Sequence, residues 1–362
     1  MAQIKFDART ARKISLLAAL AAGVCIASES PVYSVQELGK LPGGNFAVSS
    51  SINRDGQVVG AATSSACVAG CAVVWQAGAP SILQNNGNAN IGEAYSVNDA
   101  GQITGMIGSG DDREAVIWDH SSLTVLPPPP QYEDAYGYAI NDAGEVAGAA
   151  FNASGRPFAA VVWHGNAATV LELPAGYSSA YALGINNAGV VVGNVCCDGG
   201  AQAAIWRGTT PTLLAKIGVG PEHGGEALAI NDKGLIVGHV YHSSDFVHAA
   251  AWSGRKVTDL GTLAKGTKSE ALAVNARGII VGDSDSLQAA RIHAVLWSDV
   301  GAPTQDLNDL ISTSDAAKVL LQKATGINGE CTIVADGIDL TTQEPSAYVL
   351  TMIDPSRCGA TL

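Results

Sequence analysis

The chain has 362 residues and a net charge of −13 at neutral pH. This acidic balance argues against nucleic acid and anionic membrane surfaces as partners, because both carry negative phosphates. Hydrophobic residues make up 47% of the chain, charged residues only 15% and glycine 42 positions, and this apolar composition excludes a disordered protein.

The amino terminus has the three parts of an export signal. Basic residues between positions 5 and 13 precede an apolar stretch from Ile14 to Ala27, and small residues stand before Ser28. Residues 1–27 are therefore predicted to be a signal peptide, and the mature protein to be extracytoplasmic, either periplasmic or secreted. Lipoprotein anchoring at Cys25 is the less favoured alternative, because the branched Val24 before it fits an acylation site poorly. No later stretch reaches the ~20 apolar residues of a transmembrane helix.

An internal repeat fills residues 31–353, which are predicted to form one domain followed by a tail at 354–362. The pattern Asn-x-x-Gly-x-(Val/Ile)-x-Gly recurs about every 45 residues, and a seventh copy has lost both glycines. The copies start at Asn53, Asn98, Asn141, Asn186, Asn231, Asn275 and Asn328. An aromatic residue follows each Asn by 20 to 22 positions, namely Trp75, Trp118, Trp163, Trp206, Trp252, Trp297 and Tyr348.

Each copy predicts four short strands. The Asn-x-x-Gly unit is typical of a tight turn between the first two strands, and small residues two and four positions before the Asn indicate an inner strand packed closely against its neighbours. We therefore predict an all-β fold, a seven-bladed β-propeller of four-stranded blades. The segment 31–41 contains Glu37-Leu38-Gly39, which matches Asp259-Leu260-Gly261 in a fourth strand, so it is predicted to pair with the last blade and close the ring. A linear β-solenoid is the alternative, but it would need end caps.

Six cysteines remain once Cys25 is removed with the signal peptide. Cys67 and Cys71 share one short loop, while Cys331 lies in the last copy and Cys358 in the tail, so local spacing predicts two disulfides. The adjacent pair Cys196 and Cys197 is either a labile bridge or two thiols. No metal-ligand spacing or cofactor motif occurs, and the sequence predicts no metal and no cofactor.

Several copies resemble the bacterial extracellular HAF repeat, named for a His-Ala-Phe triplet. The resemblance rests on the segment Thr258–Leu263, the strand that begins at Glu270, and the triplets at His293-Ala294-Val295 and His248-Ala249-Ala250, which lack the Phe. It covers roughly residues 34 to 352 and implies an exported protein with a propeller-like repeat fold. The family implies no agreed activity.

The functional prediction rests on the absence of catalytic motifs and on the loops whose sequences differ between the copies. No nucleophile elbow, phosphate loop or dinucleotide motif is present, and the loops opposite the Asn turns vary from copy to copy. We therefore expect a monomeric, non-catalytic binding scaffold that uses this loop face to bind a glycan, a peptide or an envelope protein, or another small molecule. The alternative is a hydrolase or lyase whose carboxylate and His acid–base residues lie at the mouth of the channel.

The candidate ligand residues stand five positions before each Asn, at the loop-face end of the inner strand. They are Val48, Glu93, Tyr136, Tyr181, Glu226, Glu270 and Lys323. We expect Glu226 and Glu270 to repel each other on neighbouring blades, and the two tyrosines to stack side by side on a flat ligand. A further set of polar residues on blades five and six is assigned to the same quadrant, namely His242, Asp245, His248 and His293. The alternative is that Glu here only caps the strand.

Overall fold

A computed structural model describes residues 32–359 except 88, 153–157, 197–199, 219–222, 243–245 and 287–290. Within these residues, 28 strands form seven four-stranded antiparallel sheets, which confirms the seven-bladed propeller. The predicted signal peptide with Cys25 lies outside the described residues, as do Cys197 and Asp245. No helix in the described part of the chain is long and apolar enough to cross a membrane.

In the first six blades, the strands follow chain order from the channel outward. Blades one and two contain β2 (Ala47–Ile52), β3 (Val58–Ser64), β4 (Cys67–Gln76), β5 (Ala79–Ile82), β6 (Ile91–Val97), β7 (Gln102–Ser109), β8 (Asp112–Asp119) and β9 (Ser122–Leu126). Blades three and four contain β10 (Asp134–Ile140), β11 (Glu145–Phe151), β12 (Phe158–His164), β13 (Ala167–Val170), β14 (Ser179–Ile185), β15 (Val190–Cys196), β16 (Gln202–Arg207) and β17 (Thr210–Leu213). Blades five and six contain β18 (Gly225–Ile230), β19 (Ile236–Tyr241), β20 (Val247–Ser253), β21 (Lys256–Gly261), β22 (Ser269–Val274), β23 (Ile280–Ser286), β24 (Arg291–Trp297) and β25 (Gln305–Asp306).

The seventh blade combines both ends of the described chain. Its strands are β26 (Val319–Ile327), β27 (Ile333–Asp339), β28 (Pro345–Met352) and, outermost, β1 (Tyr33–Glu37). β1 lies antiparallel to β28, with Tyr33 opposite Met352 and Glu37 opposite Tyr348. Asn275 and Asn328 are 53 residues apart, and the described stretch between β25 and β26 holds one 3-10 turn (Leu307–Asp309) and one short helix, α1 (Thr313–Ala316).

The repeated Asn side chains form a closed ring of hydrogen bonds on the turn face. Each Asn Nδ2 donates to the backbone carbonyl of the Asn in the next blade, at 2.9–3.2 Å, and Asn328 donates to Asn53 to complete the circle. The Oδ1 of the same side chain accepts backbone N–H groups of its own turn, as Asn98 does from Ala100 and Gln102. The Asn of the predicted tight turn therefore also joins neighbouring blades.

The repeated tryptophans hold the outer parts of the blades together. Each buried indole Nε1 donates to a backbone carbonyl at or just beyond the outer strand of the preceding blade, at 2.6–2.9 Å. Trp75 of the first blade donates to Gly39, which lies two residues after the end of β1. The amino-terminal segment thus has the same place in blade seven that a fourth strand has in every other blade.

The second glycine of the pattern is required by close backbone approach. A Cβ on Gly282 would lie 1.8 Å from the carbonyl oxygen of Glu270, and the same collision recurs in the other complete copies. In the seventh copy Ala335 replaces this glycine, and the close approach has moved to Gly337, whose Cβ would lie 2.3 Å from the Leu320 carbonyl. β26 has an additional register shift between Leu321 and Lys323 at this place.

Both predicted disulfides are present. Cys67 pairs with Cys71, and Cys331 pairs with Cys358 across 27 positions of sequence, which attaches the tail to the turn of the last blade. Cys331 stands where other copies have the turn glycine, and it has a φ of 62°. Cys196 ends β15 in a half-buried position.

Candidate ligand site at the channel mouth

The inner strands bring the predicted ligand residues to one end of the central channel. Residues one to three positions before each Asn line the channel, and the Asn residues line its turn-face opening, so the residues five positions before lie toward the loop face. Strand register places each of them opposite one residue of the second strand. These cross-strand pairs, which we call the mouth ring, are Val48/Ala61, Glu93/Met106, Tyr136/Ala149, Tyr181/Asn194, Glu226/His239, Glu270/Asp283 and Lys323/Asp336.

One arc of the mouth ring, on blades two to four, contains Glu93 and two tyrosines, and neighbouring aromatic rings pack against the tyrosines; we call it the aromatic arc. Tyr136 stacks on Tyr138 with ring centroids 5.8 Å apart, and Tyr181 lies 4.2 Å from the ring of Phe158. Tyr136 and Tyr181, expected side by side, are linked through Phe151, whose ring contacts both at 5.4 and 5.9 Å. This arc offers ring faces on which a flat or apolar group can pack.

The opposite arc, on blades five to seven, is rich in ionisable groups. Glu226 Oε1 accepts a hydrogen bond from the Tyr241 hydroxyl at 3.2 Å, and that hydroxyl lies 3.2 Å from His239 Nε2. The exposed ammonium of Lys323 lies 4.0 Å from an Asp283 carboxylate oxygen on the neighbouring blade. The carboxylates in this arc outnumber its one lysine, so its electrostatic preference is for a cation.

The carboxyl groups of the mouth ring with the largest shifts in pKa belong to the second strands. Burial raises the pKa of Asp283 to about 7, with a further contribution from the charge of Glu270, while Lys323 opposes the rise. Burial likewise raises the pKa of Asp336 to about 6, although this carboxylate accepts hydrogen bonds from Ser49 N and Oγ at 2.7 and 2.9 Å. In the aromatic arc, burial raises the pKa of Glu93, partly offset by the hydrogen bond from Tyr95.

Among the described residues, two deeply buried polar atoms of the mouth ring lack hydrogen-bond partners. His239 is 7% exposed and Asn194 4% exposed. Among the residues that the structure describes, neither His239 Nδ1 nor Asn194 Oδ1 has a hydrogen-bond partner. A buried polar atom without a partner costs about 1–3 kcal/mol, so these positions favour occupancy by a ligand group or water that supplies the hydrogen bond.

The histidines assigned to the same quadrant lie elsewhere on the blades. His248 is on the third strand of blade five and His293 on the third strand of blade six, whereas the mouth ring is on the first and second strands. His248 Nδ1 and His242 Nε2 lie 2.9 and 3.0 Å from Asp259 Oδ2 on the outer strand, and His293 Nδ1 pairs with Asp306. His248 and His293 lie apart from the mouth ring because a third strand is two strand spacings, about 10 Å, from the inner one. Asp245 lies outside the described residues.

Comparison with known proteins supports the fold. The sequence matches no protein-family model and no curated protein. The propeller domain of the Trilobed protease from Pyrococcus furiosus is similar, with a TM-score of 0.58 and 12% identity over 88% of this chain and 99% of that one. YCF48 bound to D1 peptide has a TM-score of 0.53 and 11% identity over 90% and 96% of the two chains. YCF48 from Cyanidioschyzon merolae has a TM-score of 0.51 and 10% identity over 91% and 98%. At these identities the likeness concerns the fold alone, and the HAF-repeat resemblance stays a prediction.

Proposed function

We propose that the protein is an exported, non-catalytic binding module whose ligand occupies the loop-face mouth of the channel. The observation that carries the proposal is the division of the mouth ring into an aromatic arc and an acidic arc that face one opening. A ligand with a cationic group next to a flat or apolar part matches both arcs, because carboxylates attract the cation and ring faces pack on the rest. Peptides with Lys or Arg side chains and amine-bearing sugars have this chemistry.

Two observations support a ligand at this place. Asn194 Oδ1 and His239 Nδ1, which have no hydrogen-bond partner within the described part of the chain, stand at adjacent positions of the mouth ring, on blades four and five. A propeller of similar architecture has been solved with a bound peptide, which supports a peptide as one ligand class for this fold. The two disulfides agree with an oxidising compartment, and export through residues 1–27 is part of the proposal.

The test is a binding titration with three probes: a short peptide of alternating Lys and Tyr, a glucosamine oligomer, and its N-acetylated form. We expect at least one amine-bearing probe to bind and the N-acetylated form to bind more weakly. The double variant Glu226→Gln and Glu270→Gln should lose about tenfold or more in affinity with little change in the thermal midpoint. A matched double variant, Glu114→Gln and Glu133→Gln, changes two carboxylates of a separate loop-face cleft and should bind like the parent. Equal binding by the Glu226/Glu270 variant would contradict the proposal.

A second candidate function is supported by Asp283. A carboxyl with a pKa of about 7 exists in both protonation states at neutral pH, which is the property of a general acid–base group, and Lys323 lies beside it. The alternative is therefore a hydrolase or lyase that uses Asp283 at the mouth ring. Turnover of a polysaccharide panel that Asp283→Asn abolishes without loss of binding would favour the enzyme; binding without turnover favours the scaffold.

A further inference from the structure

A second cluster of polar side chains, separate from the mouth ring, joins the last three strands of blade five. His242 follows β19, His248 is the second residue of β20, and Asp259 belongs to β21. The imidazole rings are 4.6 Å apart, and one ligand atom from each of the three residues lies within 4.8 Å of the others. The three side chains are 31%, 21% and 33% exposed, so an ion from solvent can reach them.

Blade six shows which part of this cluster belongs to the repeat. There the corresponding His293 on β24 pairs with Asp306, just as His248 pairs with Asp259, so a His–Asp pair between the third and fourth strands is a shared feature of these two blades. Ser286 stands eleven residues after the Asn of blade six, at the place that His242 has in blade five. His242 is therefore an addition that the strand pairing does not require.

We propose that His242, His248 and Asp259 form a binding site for a divalent transition metal ion of the zinc type. His242 Nε2 and His248 Nδ1 lie 3.0 and 2.9 Å from the same carboxylate oxygen, and neighbouring ligand atoms of a tetrahedral zinc site are about 3.3 Å apart, so a small outward movement of the side chains admits the ion. Two imidazoles and one carboxylate suit zinc, cobalt or nickel better than calcium or magnesium, which prefer oxygen ligands.

The surroundings hold these ligands in place. Asp259 Oδ1 accepts a hydrogen bond from the Gly261 N–H at 2.7 Å, which orients the carboxylate. The His242 N–H donates to the Phe246 carbonyl at 2.9 Å and so positions the start of the loop that carries its imidazole. A hydrogen bond to the ligating carboxylate, as Gly261 provides here, is typical of metal sites. Three protein ligands leave a fourth coordination position open, where water or a donor atom of another molecule completes the coordination.

The test uses the tag-free full chain, dialysed against chelator and titrated with Zn²⁺, together with visible absorption of the Co²⁺ form. We expect one ion per chain and a Co²⁺ spectrum typical of four or five ligands. His242→Ser, which copies blade six, should weaken binding at least about tenfold while the metal-free protein keeps its thermal midpoint. His120→Ser removes an exposed His beside Asp119 and is the control, expected to bind like the parent. The proposal is overturned if the parent binds no ion at micromolar concentration or if His242→Ser binds as tightly as the parent.

Discussion

Asn in place of Asp283 should make the protein more stable at pH 8, because the parent must hold a carboxylate that burial disfavours. In the unfolded chain this carboxyl titrates near 3.8, whereas in the folded protein its pKa is about 7. Between these values the folded state keeps a proton that the unfolded state has lost, so the contribution to stability is complete below about pH 4 and is lost as the pH rises to about 7. The difference in pKa corresponds to about 4 kcal/mol in the free energy of unfolding.

The side chain of Asp283 is only 15% exposed, so solvent screens this cost little. At pH 8 we expect Asp283→Asn to unfold about 5 °C above the parent, and at pH 4 at nearly the same temperature. The assay is thermal unfolding followed by circular dichroism at pH 4, 6 and 8. A variant that is less stable than the parent at pH 8, or a difference that does not change with pH, would refute the reasoning.

Asp285, two residues along the same strand, is the matched control with the opposite sign. Burial acts to raise the pKa of this carboxyl, but hydrogen bonds from Lys268 N and from Thr267 N and Oγ1 outweigh it and lower the pKa. Its ionised form therefore stabilises the protein at neutral pH, and this contribution is lost as the pH falls through the lowered pKa. Asp285→Asn should destabilise the protein at pH 8 and have less effect in acid.

Three further predictions concern the ends of the chain. Deletion of residues 32–41 should lower the thermal midpoint, because it leaves β28 with an unpaired edge and removes the hydrogen-bond acceptor of the Trp75 indole. A truncated protein that melts like the parent would contradict this role of β1. Cys331→Ser should lower the free energy of unfolding by about 2 kcal/mol or more, and Cys67→Ser by less, because the Cys331–Cys358 bridge closes the longer loop. Denaturant titrations that give the reverse order would contradict this reasoning. Mass analysis of the extracytoplasmic fraction should find a chain that starts near Ser28, and recovery of full-length protein only from cytosol would count against export.

The sequence predicted the blade count because six of the seven repeats carry the same local signals, an Asn turn, two glycines and a Trp, and the seventh keeps the Asn and an aromatic residue, Tyr348. It did not predict what the Asn and Trp contact, since each partner lies in a neighbouring blade and only the folded ring brings them together. The cluster of His242, His248 and Asp259 has no recognisable spacing, because strand pairing alone unites the three.

The sequence also contains a signal that would have identified Asp283 and Asp336 as candidate residues of the mouth ring. Each directly follows the second glycine position of its copy, and strand register places the residue after that position opposite the predicted ligand residue. When the seven copies are aligned, this position holds Ala, Met, Ala, Asn, His, Asp and Asp in chain order, so its polar residues lie on the consecutive blades four to seven. Their raised pKa values, by contrast, depend on burial that only the structure shows.

The hydrogen-bond ring of the Asn residues has no first or last member, although the polypeptide does. In the described part of the chain, the start of β1 lies beside the end of β28 in blade seven, where Tyr33 pairs with Met352, so a short linker would join these two strands. A new pair of ends opened in the loop between β9 and β10 would leave all seven Asn bonds and all seven inner strands intact. The fold therefore meets the structural requirement for circular permutation. Moving the termini would destabilise the outer strands next to the cut and would leave the ring of Asn hydrogen bonds unchanged.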